Sequence, residues 1–341
     1  MSTAPLLAVR DLAVEFRTRD RVTRPIDGIS LEVGRGEMVG LVGETGCGKT
    51  LTGLSVLGLL PRGAVIAGGE IVFDGLDLRN LPSAELRRVR GRRIAMVFQN
   101  PATALNPVFT IGTQIEQVVR THLGLGGNPA RDLIRETLVA VGLPETERVM
   151  GSYPHQLSGG MLQRSMLAMA LACGPDLLIA DEPTTALDVT IGAQVLQLLR
   201  RLQEAHGFSV LFVTHDLGVV RTVTDRVVVL YAGRVAELAP TVELLSHPRH
   251  PYTNGLIGAV PRPDRRGTAL TMIPGTVPAD PGRVPGCAFA PRCPVAVDRC
   301  RVDRPELRAI GDAGDLVACH VAEAGGMAGR SPSAVSPGTA S

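Results

Sequence analysis

The chain has 341 residues, more than one typical domain, and its 45% hydrophobic and 20% charged content is that of an ordinary globular protein. The formal net charge of +2 does not indicate any class of binding partner. Aromatic residues make up 3% of the chain and include no tryptophan, so they provide no stacking surface for single-stranded nucleic acid. No apolar run approaches the ~20 residues that span a bilayer, and no N-terminal signal pattern is visible. The composition therefore predicts a cytosolic protein that reaches a membrane only through other subunits.

A glycine-rich segment, GETGCGKT at residues 43–50, follows the apolar run MVGLVG at residues 38–43. The run predicts a buried strand, and residues 50–60 predict a helix that ends before Pro61. Such glycines let backbone N–H groups surround an anion, and the helix N-terminus adds positive charge. Only Lys49 among the 35 basic residues is lysine, and a compact ammonium suits phosphate oxygens in a narrow loop. The pattern predicts a nucleotide phosphate site rather than a chance glycine turn.

Two other side chains of this loop carry predictions of their own. The Thr50 hydroxyl, at the start of the helix, is placed to bind Mg²⁺. Cys47 is either a small filler or a thiol whose pKa the helix N-terminus lowers, in which case alkylation would inhibit nucleotide hydrolysis.

The segment that follows predicts turns and then helices. GGEIVFDGLDL at residues 68–78 is typical of a hairpin, and the basic residues 87–93 are most simply a solvated face. Apolar residues recur at helical spacing in IGTQIEQVVRTHL and ARDLIRETLVAVGL, so we expect a helical insert over residues 100–165.

A second glycine-containing motif is LSGGMLQR at residues 157–164. Ser158, Gly159 and Gly160 open a predicted helix whose free amides and dipole suit a phosphate group. The alternative is a flexible helix cap without a ligand.

Two further strands deliver acid and base groups to the same edge of the predicted sheet. LLIADEPTTALD at residues 177–188 places Asp181 and Glu182 at a strand end, where open parallel sheets bind ligands. Asp181 would hold Mg²⁺, directly or through water, and Glu182 would polarise the attacking water. SVLFVTHD at residues 209–216 brings His215 to the same edge, within reach of a γ-phosphate.

Together these motifs resemble the nucleotide-binding subunit of an ABC transporter, over about residues 6–260. The resemblance implies an α/β fold: a P-loop NTPase (RecA-like) core, an N-terminal antiparallel β subdomain and a helical subdomain over about residues 100–165. It also implies a head-to-tail dimer, in which Ser158, Gly159 and Gly160 contact the ATP of the other subunit. The alternative from another class is a soluble ABC ATPase that acts as a clamp on nucleic acid or the ribosome, but its usual second cassette or long coiled coil is missing.

The resemblance also assigns roles to single residues. Gln99, in MVFQNP, matches the glutamine that joins the ATP site to the helical subdomain, although alone it is an ordinary polar residue at a strand end. Asp188 matches the aspartate that couples two ATP sites, or is a plain helix N-cap. Phe16 lies where the family often places an aromatic ring against adenine, although a lone Phe on a strand is more often core.

The complete predicted site follows from these matches. The residues that contact ATP are Phe16, Gly43, Glu44, Thr45, Gly46, Cys47, Gly48, Lys49, Thr50, Gln99, Ser158, Gly159, Gly160, Asp181 and Asp188. The catalytic residues are Lys49, Gln99, Glu182 and His215, and the Mg²⁺ ligands are Thr50, Gln99 and Asp181.

From about residue 240 the composition changes to proline, arginine and cysteine. HPRHPYTNGLIGAVP and GCAFAPRCPVAVDRC resemble the C-terminal extension of peptide-importer ATPases. Disulfides are unlikely in the cytosol, so the cysteines there predict metal ligation: Cys287, Cys293, Cys300 and Cys319. Wide gaps without Cys-x-x-Cys pairs, together with the resemblance, favour a [4Fe-4S] cluster over zinc, and unligated thiols remain a third possibility. Arginines would offset the thiolate charge or form a solvated surface: Arg283, Arg292, Arg299, Arg301, Arg304 and Arg308.

The resemblance therefore implies an ATP-hydrolysing subunit of a bacterial importer of oligopeptides or dipeptides, bound at the cytoplasmic face of the inner membrane. Its implied partners are two permeases, a second related ATP-binding subunit and an extracytoplasmic peptide-binding protein, with no nucleic acid. Import of nickel or another small solute is the alternative. We expect a nucleotide-binding domain at residues 1–260, a small, loop-rich metal-binding module at residues 261–322 and a disordered tail at residues 323–341.

Overall fold

A computed structural model describes residues 4–18, 21–260, 272–278, 280–310 and 314–322. The predicted disordered tail, residues 323–341, lies outside these residues, as does the start of the predicted C-terminal module.

Twelve strands occur in the described residues. They are β1 (Leu7–Arg17), β2 (Val22–Val33), β3 (Met38–Val42), β4 (Ala64–Phe73), β5 (Leu76–Asp77), β6 (Ile94–Val97), β7 (Leu177–Asp181), β8 (Ser209–Thr214), β9 (Arg226–Tyr231), β10 (Arg234–Pro240), β11 (Arg308–Ile310) and β12 (Asp315–Val317).

Twelve α-helices alternate with them over the same described ranges. They are α1 (Lys49–Leu57), α2 (Ser83–Val89), α3 (Pro101–Ala104), α4 (Ile111–Leu123), α5 (Gly127–Ala140), α6 (Thr146–Gly151), α7 (Gly159–Leu171), α8 (Val189–His206), α9 (Leu217–Val223), α10 (Thr241–Ser246), α11 (Pro251–Ala259) and α12 (Arg299–Val302). None of these helices is both long and apolar enough to cross a membrane.

The centre of the molecule is a mixed sheet of eight strands, in the order β11-β12-β10-β9-β3-β8-β7-β6. The five strands β9, β3, β8, β7 and β6 run parallel. Alternate residues of β7 pack into two hydrophobic clusters: Leu177 and Ile179 into one, Leu178 and Ala180 into the other. Because both faces of the strand are covered, its sequence is a continuous apolar run. The predicted α/β core is confirmed.

A second sheet covers the N-terminal part of the chain, with strands in the order β2-β1-β4-β5 and antiparallel pairing throughout. Asp74 and Gly75 form the turn between β4 and β5, with φ angles of 48° and 79°. Positive φ at both turn residues matches the twist of a tight hairpin, and Asp-Gly tolerates it. The hairpin predicted at residues 68–78 is confirmed.

Helices α3 to α7 occupy the region of the predicted helical insert, although α7 continues to Leu171, and the bounds of a subdomain at residues 100–165 stay a prediction. Ile111, Ile115 and Val119 on α4 share one face and are buried in the same cluster as Ile134 and Leu138 on α5. The spacing of four residues is what places them on one helix face. The periodicity identified both helices correctly.

One helix end differs from the sequence prediction. We expected α1 to continue to residue 60 and to end because of Pro61, but it ends at Leu57. Gly58 adopts a left-handed φ of 59°, and its N–H bonds the carbonyls of Leu54 and Ser55. This glycine cap closes the helix before the proline is reached.

The C-terminal segment is joined to the core sheet. Strand β12 pairs with β10 through Glu237 and Leu238, and β11 pairs with β12. The rest of the described segment consists of short turns, α12 and two 3₁₀ helices, Pro281–Arg283 and Ala290–Arg292. The segment is therefore loop-rich, as predicted, but its two strands extend the sheet that carries the candidate site.

Candidate nucleotide site

The glycine loop lies between the end of β3 and the start of α1. At Gly43 a Cβ atom would lie 2.3 Å from the carbonyl oxygen of Leu230 and 2.7 Å from Cys47 Sγ, so only glycine fits. Gly48 has a φ of 104°, a conformation that L side chains rarely adopt. These two glycines fix the turn that carries the chain from a buried strand into a helix N-terminus, which is the geometry of an anion site.

The Lys49 ammonium lies inside this loop. Its Nζ donates to the carbonyl oxygens of Gly43 at 2.8 Å and Glu44 at 3.1 Å. The residue is only 6% exposed, so its charge is held against the loop by backbone oxygens. A phosphate that entered the loop would meet this positive charge directly.

Cys47 lacks the solvent access of a reactive thiol. Its side chain is fully buried, and this burial raises its pKa in spite of the nearby Lys49 ammonium. The hypothesis of a lowered pKa at the helix N-terminus is therefore wrong, because desolvation of the thiolate outweighs the local positive charge. The alternative, a small filler, fits the structure.

Thr50 and Asp181 form a pair of oxygen donors beside the loop. The Thr50 hydroxyl donates to Asp181 Oδ1 at 3.0 Å. Burial raises the pKa of Asp181, and the adjacent Glu182 carboxylate raises it further. A hydroxyl and a carboxylate are the hard oxygen ligands that Mg²⁺ prefers, so this donor set fits the ion.

Glu182 has an unusual backbone conformation, with a φ of 44°. Its N–H donates to the carbonyl of Val213 at 2.9 Å, which extends the pairing of β7 and β8 by one residue. Left-handed backbone at a non-glycine residue costs about 1–3 kcal/mol and is concentrated at functional sites. The turn aims the carboxylate across the open edge of the sheet.

Three side chains hold the Glu182 carboxylate. Gln99 Nε2 donates to Oε2 at 2.9 Å, the Thr185 hydroxyl donates to the same oxygen at 3.0 Å, and His215 Nδ1 lies 3.1 Å from Oε1. The carboxylate is 14% exposed and the His215 side chain 51% exposed, so the group is oriented but still reaches solvent. Such a carboxylate can accept a proton from a water molecule.

The sequence prediction brought Gln99, Glu182 and His215 to one place but omitted Thr185. Thr185 follows Glu182 by three residues in the DEPTT run, and this spacing is the only signal that pointed to it. Gln99 contacts Glu182, and no described hydrogen bond joins it to Thr50 or Asp181. Its predicted contact with Mg²⁺ stays a prediction.

The second glycine motif lies at the start of α7. Ser158 caps the helix by accepting a hydrogen bond from Met161 N at 3.4 Å. A Cβ atom at Gly160 would lie 2.7 Å from Ile191 Cγ2 on α8, whereas one at Gly159 would make an ordinary contact at 3.5 Å with Leu187. Gly160 therefore allows α7 to approach α8 closely, and the role of these residues toward a second subunit stays a prediction.

Two other predicted residues have structural partners in the single chain. Asp188 caps α8, since its Oδ1 accepts from Ile191 N at 2.9 Å. Phe16 is half-buried on β1, opposite Thr23 of β2 and Ala64 of β4. Neither arrangement tests the coupling of two ATP sites or the adenine contact, which stay predictions.

The four C-terminal cysteines are free thiols, like the two in the core. The pKa of Cys293 is raised to about 11, first by burial and then by the thiols of Cys319, Cys287 and Cys300, which indicates that the four sulfur atoms lie near one another. Within the described part of the chain, however, no three Cys, His, Asp or Glu side chains stand close enough to hold a single metal ion. The predicted metal-binding module therefore stays a prediction.

The arginines of this segment have other partners than thiolates. Arg299 pairs with Asp303, Arg304 with Asp27, and Arg283 with Asp280. Arg308 donates to the carbonyl of Cys319. The expectation that this group mainly offsets thiolate charge is therefore wrong for the arginines whose charge a carboxylate already balances.

The sequence analysis also missed the surroundings of Glu44. The Tyr252 hydroxyl accepts a hydrogen bond from Glu44 N at 2.9 Å, and Arg292 binds the Glu44 carboxylate through both terminal nitrogens, at 2.7 and 2.9 Å. Both partners are more than 200 residues away along the chain, a separation at which no local pattern indicates contact.

Comparison with known families supports this site and the C-terminal segment separately. Residues 26–185 match the ABC transporter family, and residues 236–300 match the C-terminal region of oligopeptide/dipeptide transporters. The first range contains the glycine loop, the LSGG motif and the two carboxylates; the second contains Tyr252, Arg292 and the first three of the four clustered cysteines.

Similar proteins extend along almost the whole chain. A probable peptide ABC transporter ATP-binding protein of Sinorhizobium fredii is 49% identical over 316 residues, which cover 92% of this chain and 94% of the relative. The dipeptide transport ATP-binding protein DppD of Bacillus subtilis is 47% identical over 85% of this chain and 87% of its own length.

A solved structure shares the fold of the core. The ATP-binding cassette MJ0796, in a dimeric post-hydrolysis state bound to ADP and Pi, is 29% identical, with a TM-score of 0.62 over 69% of this chain and 98% of that one. The peptide-transport relatives are aligned over most of their length and share nearly half of their residues with this chain. The chain therefore belongs to the family of ABC transporter ATP-binding proteins that includes these peptide-transport relatives.

Proposed function

We propose that this chain is the ATP-hydrolysing motor subunit of a bacterial importer of oligopeptides or dipeptides. The observation that carries this proposal is the extent of the similarity. The relatives named for peptide transport match both the cassette and the C-terminal segment, at 47–49% identity. A cassette alone occurs in many transporters, whereas the C-terminal match is described for oligopeptide and dipeptide transporters.

In the proposed site, the loop at residues 43–50 binds the phosphates of ATP through its amides and through Lys49. Thr50 and Asp181 would hold Mg²⁺, which neutralises charge on the phosphates. Glu182 accepts the proton of the attacking water. Gln99, Thr185 and His215 keep its carboxylate aimed at the open edge, which the contacts of 2.9 to 3.1 Å support.

The proposed motor works as a pair of subunits. Ser158, Gly159 and Gly160 would contact ATP in the other subunit, and Asp188 would connect the two sites. The similarity to a cassette solved as a dimer supports this arrangement. Two permeases would dock on α3 to α7, and this docking would hold the chain at the cytoplasmic face of the inner membrane. Closure around ATP would then move the permeases. A second related ATP-binding subunit and an extracytoplasmic peptide-binding protein complete the proposed assembly, and we assign it no nucleic acid.

We further propose a [4Fe-4S] cluster on Cys287, Cys293, Cys300 and Cys319. Burial, and to a smaller extent the neighbouring thiols of this group, raises the pKa values of Cys287, Cys293 and Cys319, which supports a shared site. The ligands of a cluster bind separate iron atoms and so stand farther apart than the ligands of one ion. The wide sequence gaps between these cysteines, without Cys-x-x-Cys pairs, are the reason to propose a cluster rather than zinc.

The transported solute is tested by uptake in cells from which the gene has been deleted. We expect deletion to abolish uptake of labelled oligopeptides or dipeptides and a plasmid copy to restore it, while nickel uptake is unchanged. Loss of nickel uptake alone would favour the alternative solute and contradict the proposal.

The cluster is tested by anaerobic purification and measurement of iron, acid-labile sulfide and zinc. We expect about four iron and four sulfide per chain, with visible absorption that C293S abolishes and C173S, at a buried thiol in the core, does not. One zinc, or no metal, would overturn the cluster and leave the ATPase assignment intact.

A further inference from the structure

We propose that Arg292, from the C-terminal segment, is a positioning residue of the ATP site that neutralises Glu44 inside the phosphate loop. The inference rests on the proposed binding of ATP by this loop. Glu44 is the second residue of GETGCGKT, so its carboxylate stands next to the amides that would surround the phosphates.

A carboxylate at this position would oppose the binding of ATP by electrostatic repulsion. The phosphates of ATP are strongly negative, and an unpaired carboxylate in the loop that holds them would repel them. The side chain of Glu44 is only 29% exposed, so solvent screens this repulsion incompletely. Binding of ATP therefore requires that the charge be balanced.

Arg292 supplies the balance with a two-point contact. Its terminal nitrogens donate to the two Glu44 oxygens at 2.7 and 2.9 Å, and its side chain is 5% exposed. Further contacts fix the guanidinium. Nε donates to the Pro274 carbonyl at 2.7 Å, the terminal nitrogens donate to the Tyr231 hydroxyl at 3.3 Å and the Ile273 carbonyl at 3.4 Å, and the group lies over the Tyr231 and Phe289 rings. A buried, bidentate pair with this support is geometrically specific.

The backbone of Glu44 is also held by hydrogen bonds. Its N–H donates to the hydroxyl of Tyr252, which is fully buried on α11, and its carbonyl accepts from Lys49. The C-terminal residues thus restrain both the side chain and the amide of the residue that contacts Lys49. This places part of the ATP site under the control of a segment that lies outside the cassette match.

The test compares R292Q, the double variant R292Q/E44Q and the matched control R304Q. Arg304 also anchors the C-terminal segment, through Asp27 and the Val284 carbonyl, but it does not touch the loop. The measurements are the Kd for MgATP, the KM and kcat of hydrolysis, and the melting temperature without nucleotide.

We expect R292Q to raise the Kd and KM for MgATP about tenfold, with kcat changed less than about twofold, because a charge-assisted pair is lost. In R292Q/E44Q the carboxylate that R292Q leaves unpaired is also removed, so the Kd should return to within about threefold of wild type. R304Q should bind MgATP like wild type. An unchanged Kd in R292Q, an equal loss in R304Q, or a double variant no better than R292Q would each overturn the proposal.

If R292Q fails to fold, the single variant E44Q tests whether the charge of Glu44 opposes the binding of MgATP. It retains an oxygen that accepts from Arg292 and removes the negative charge, so it should bind MgATP at least as tightly as wild type. Binding more than about threefold weaker would overturn the inference. Failure of wild type to bind MgATP would instead refute the function proposed for the loop.

Discussion

Glu182 combines a strained backbone with a carboxylate that three neighbours hold in place. The φ of 44° carries a cost, which the contacts with Gln99, Thr185 and His215 offset by fixing one orientation. Lys49, by contrast, is held by backbone carbonyls of its own loop. At the scale of single residues, the site is thus preorganised around one carboxylate and one ammonium.

Replacing the carboxylate separates ATP binding from hydrolysis. We expect E182Q to bind MgATP but to release phosphate about 100-fold more slowly or worse, since an amide cannot accept the proton, and to accumulate as an ATP-bound dimer. The control T185V removes one hydrogen bond to the same group and should lose less than about tenfold. Phosphate release and light scattering measure both effects, and an E182Q chain with normal turnover would refute the assignment of the base.

Thiol labelling tests the correction at Cys47. We expect N-ethylmaleimide to leave Cys47 and Cys173 unmodified in the folded chain, because both side chains are buried and burial raises their pKa values. Both should be labelled after denaturation, which serves as the control. Peptide mass spectrometry distinguishes the sites, and rapid labelling of native Cys47 with loss of ATPase activity would restore the original hypothesis.

At the scale of elements, α11 begins with buried polar residues and packs against the C-terminal segment, since the centre of the Tyr252 ring lies 5.4 Å from that of the Phe289 ring. His250 caps the helix, since its Nδ1 accepts from Tyr252 N at 3.0 Å, and it is almost fully buried. Tyr252 in turn reaches Glu44. The protonation of His250 would therefore break the cap and bury a charge.

Acid should destabilise the fold through this histidine. Burial lowers the pKa of His250 to about 4, whereas the unfolded chain takes up a proton near pH 6.5. The free energy of unfolding therefore falls as the pH drops from about 6.5 to about 4, by up to about 3 kcal/mol, and is independent of this group above that range.

H250N keeps a capping oxygen without a titrating group, so it isolates the effect. The melting temperature of wild type minus that of H250N should decrease by a few degrees between pH 7 and pH 5. A difference that stays constant over this range would contradict the account.

Much of the fold could be predicted because its signals are local. Apolar runs identified β3, β7 and β8, and periodicity identified α4 and α5. The end of α1 was missed because the prediction used Pro61 as the stop signal, whereas the glycine cap at Gly58 ends the helix earlier. The pairing of β12 with β10 joins strands about 75 residues apart, and the Arg292 contact spans 248 residues, so neither has a local pattern.

At the scale of the whole molecule, the C-terminal segment is part of the ATPase. It extends the core sheet through β12 and β11, and it contacts the phosphate loop through Arg292. The similarity to peptide-transport relatives covers both parts. We therefore infer that the C-terminal segment of this chain completes the ATP site of its own subunit.

The most direct test of this account is ATP-dependent uptake of a labelled oligopeptide or dipeptide into vesicles that contain the complete transporter, assembled with either wild-type chain or E182Q. We expect wild type to support uptake that requires ATP, and E182Q to support at most about one hundredth of that rate. Equal uptake with E182Q, or a wild-type transporter that moves nickel and no peptide, would contradict the central claim.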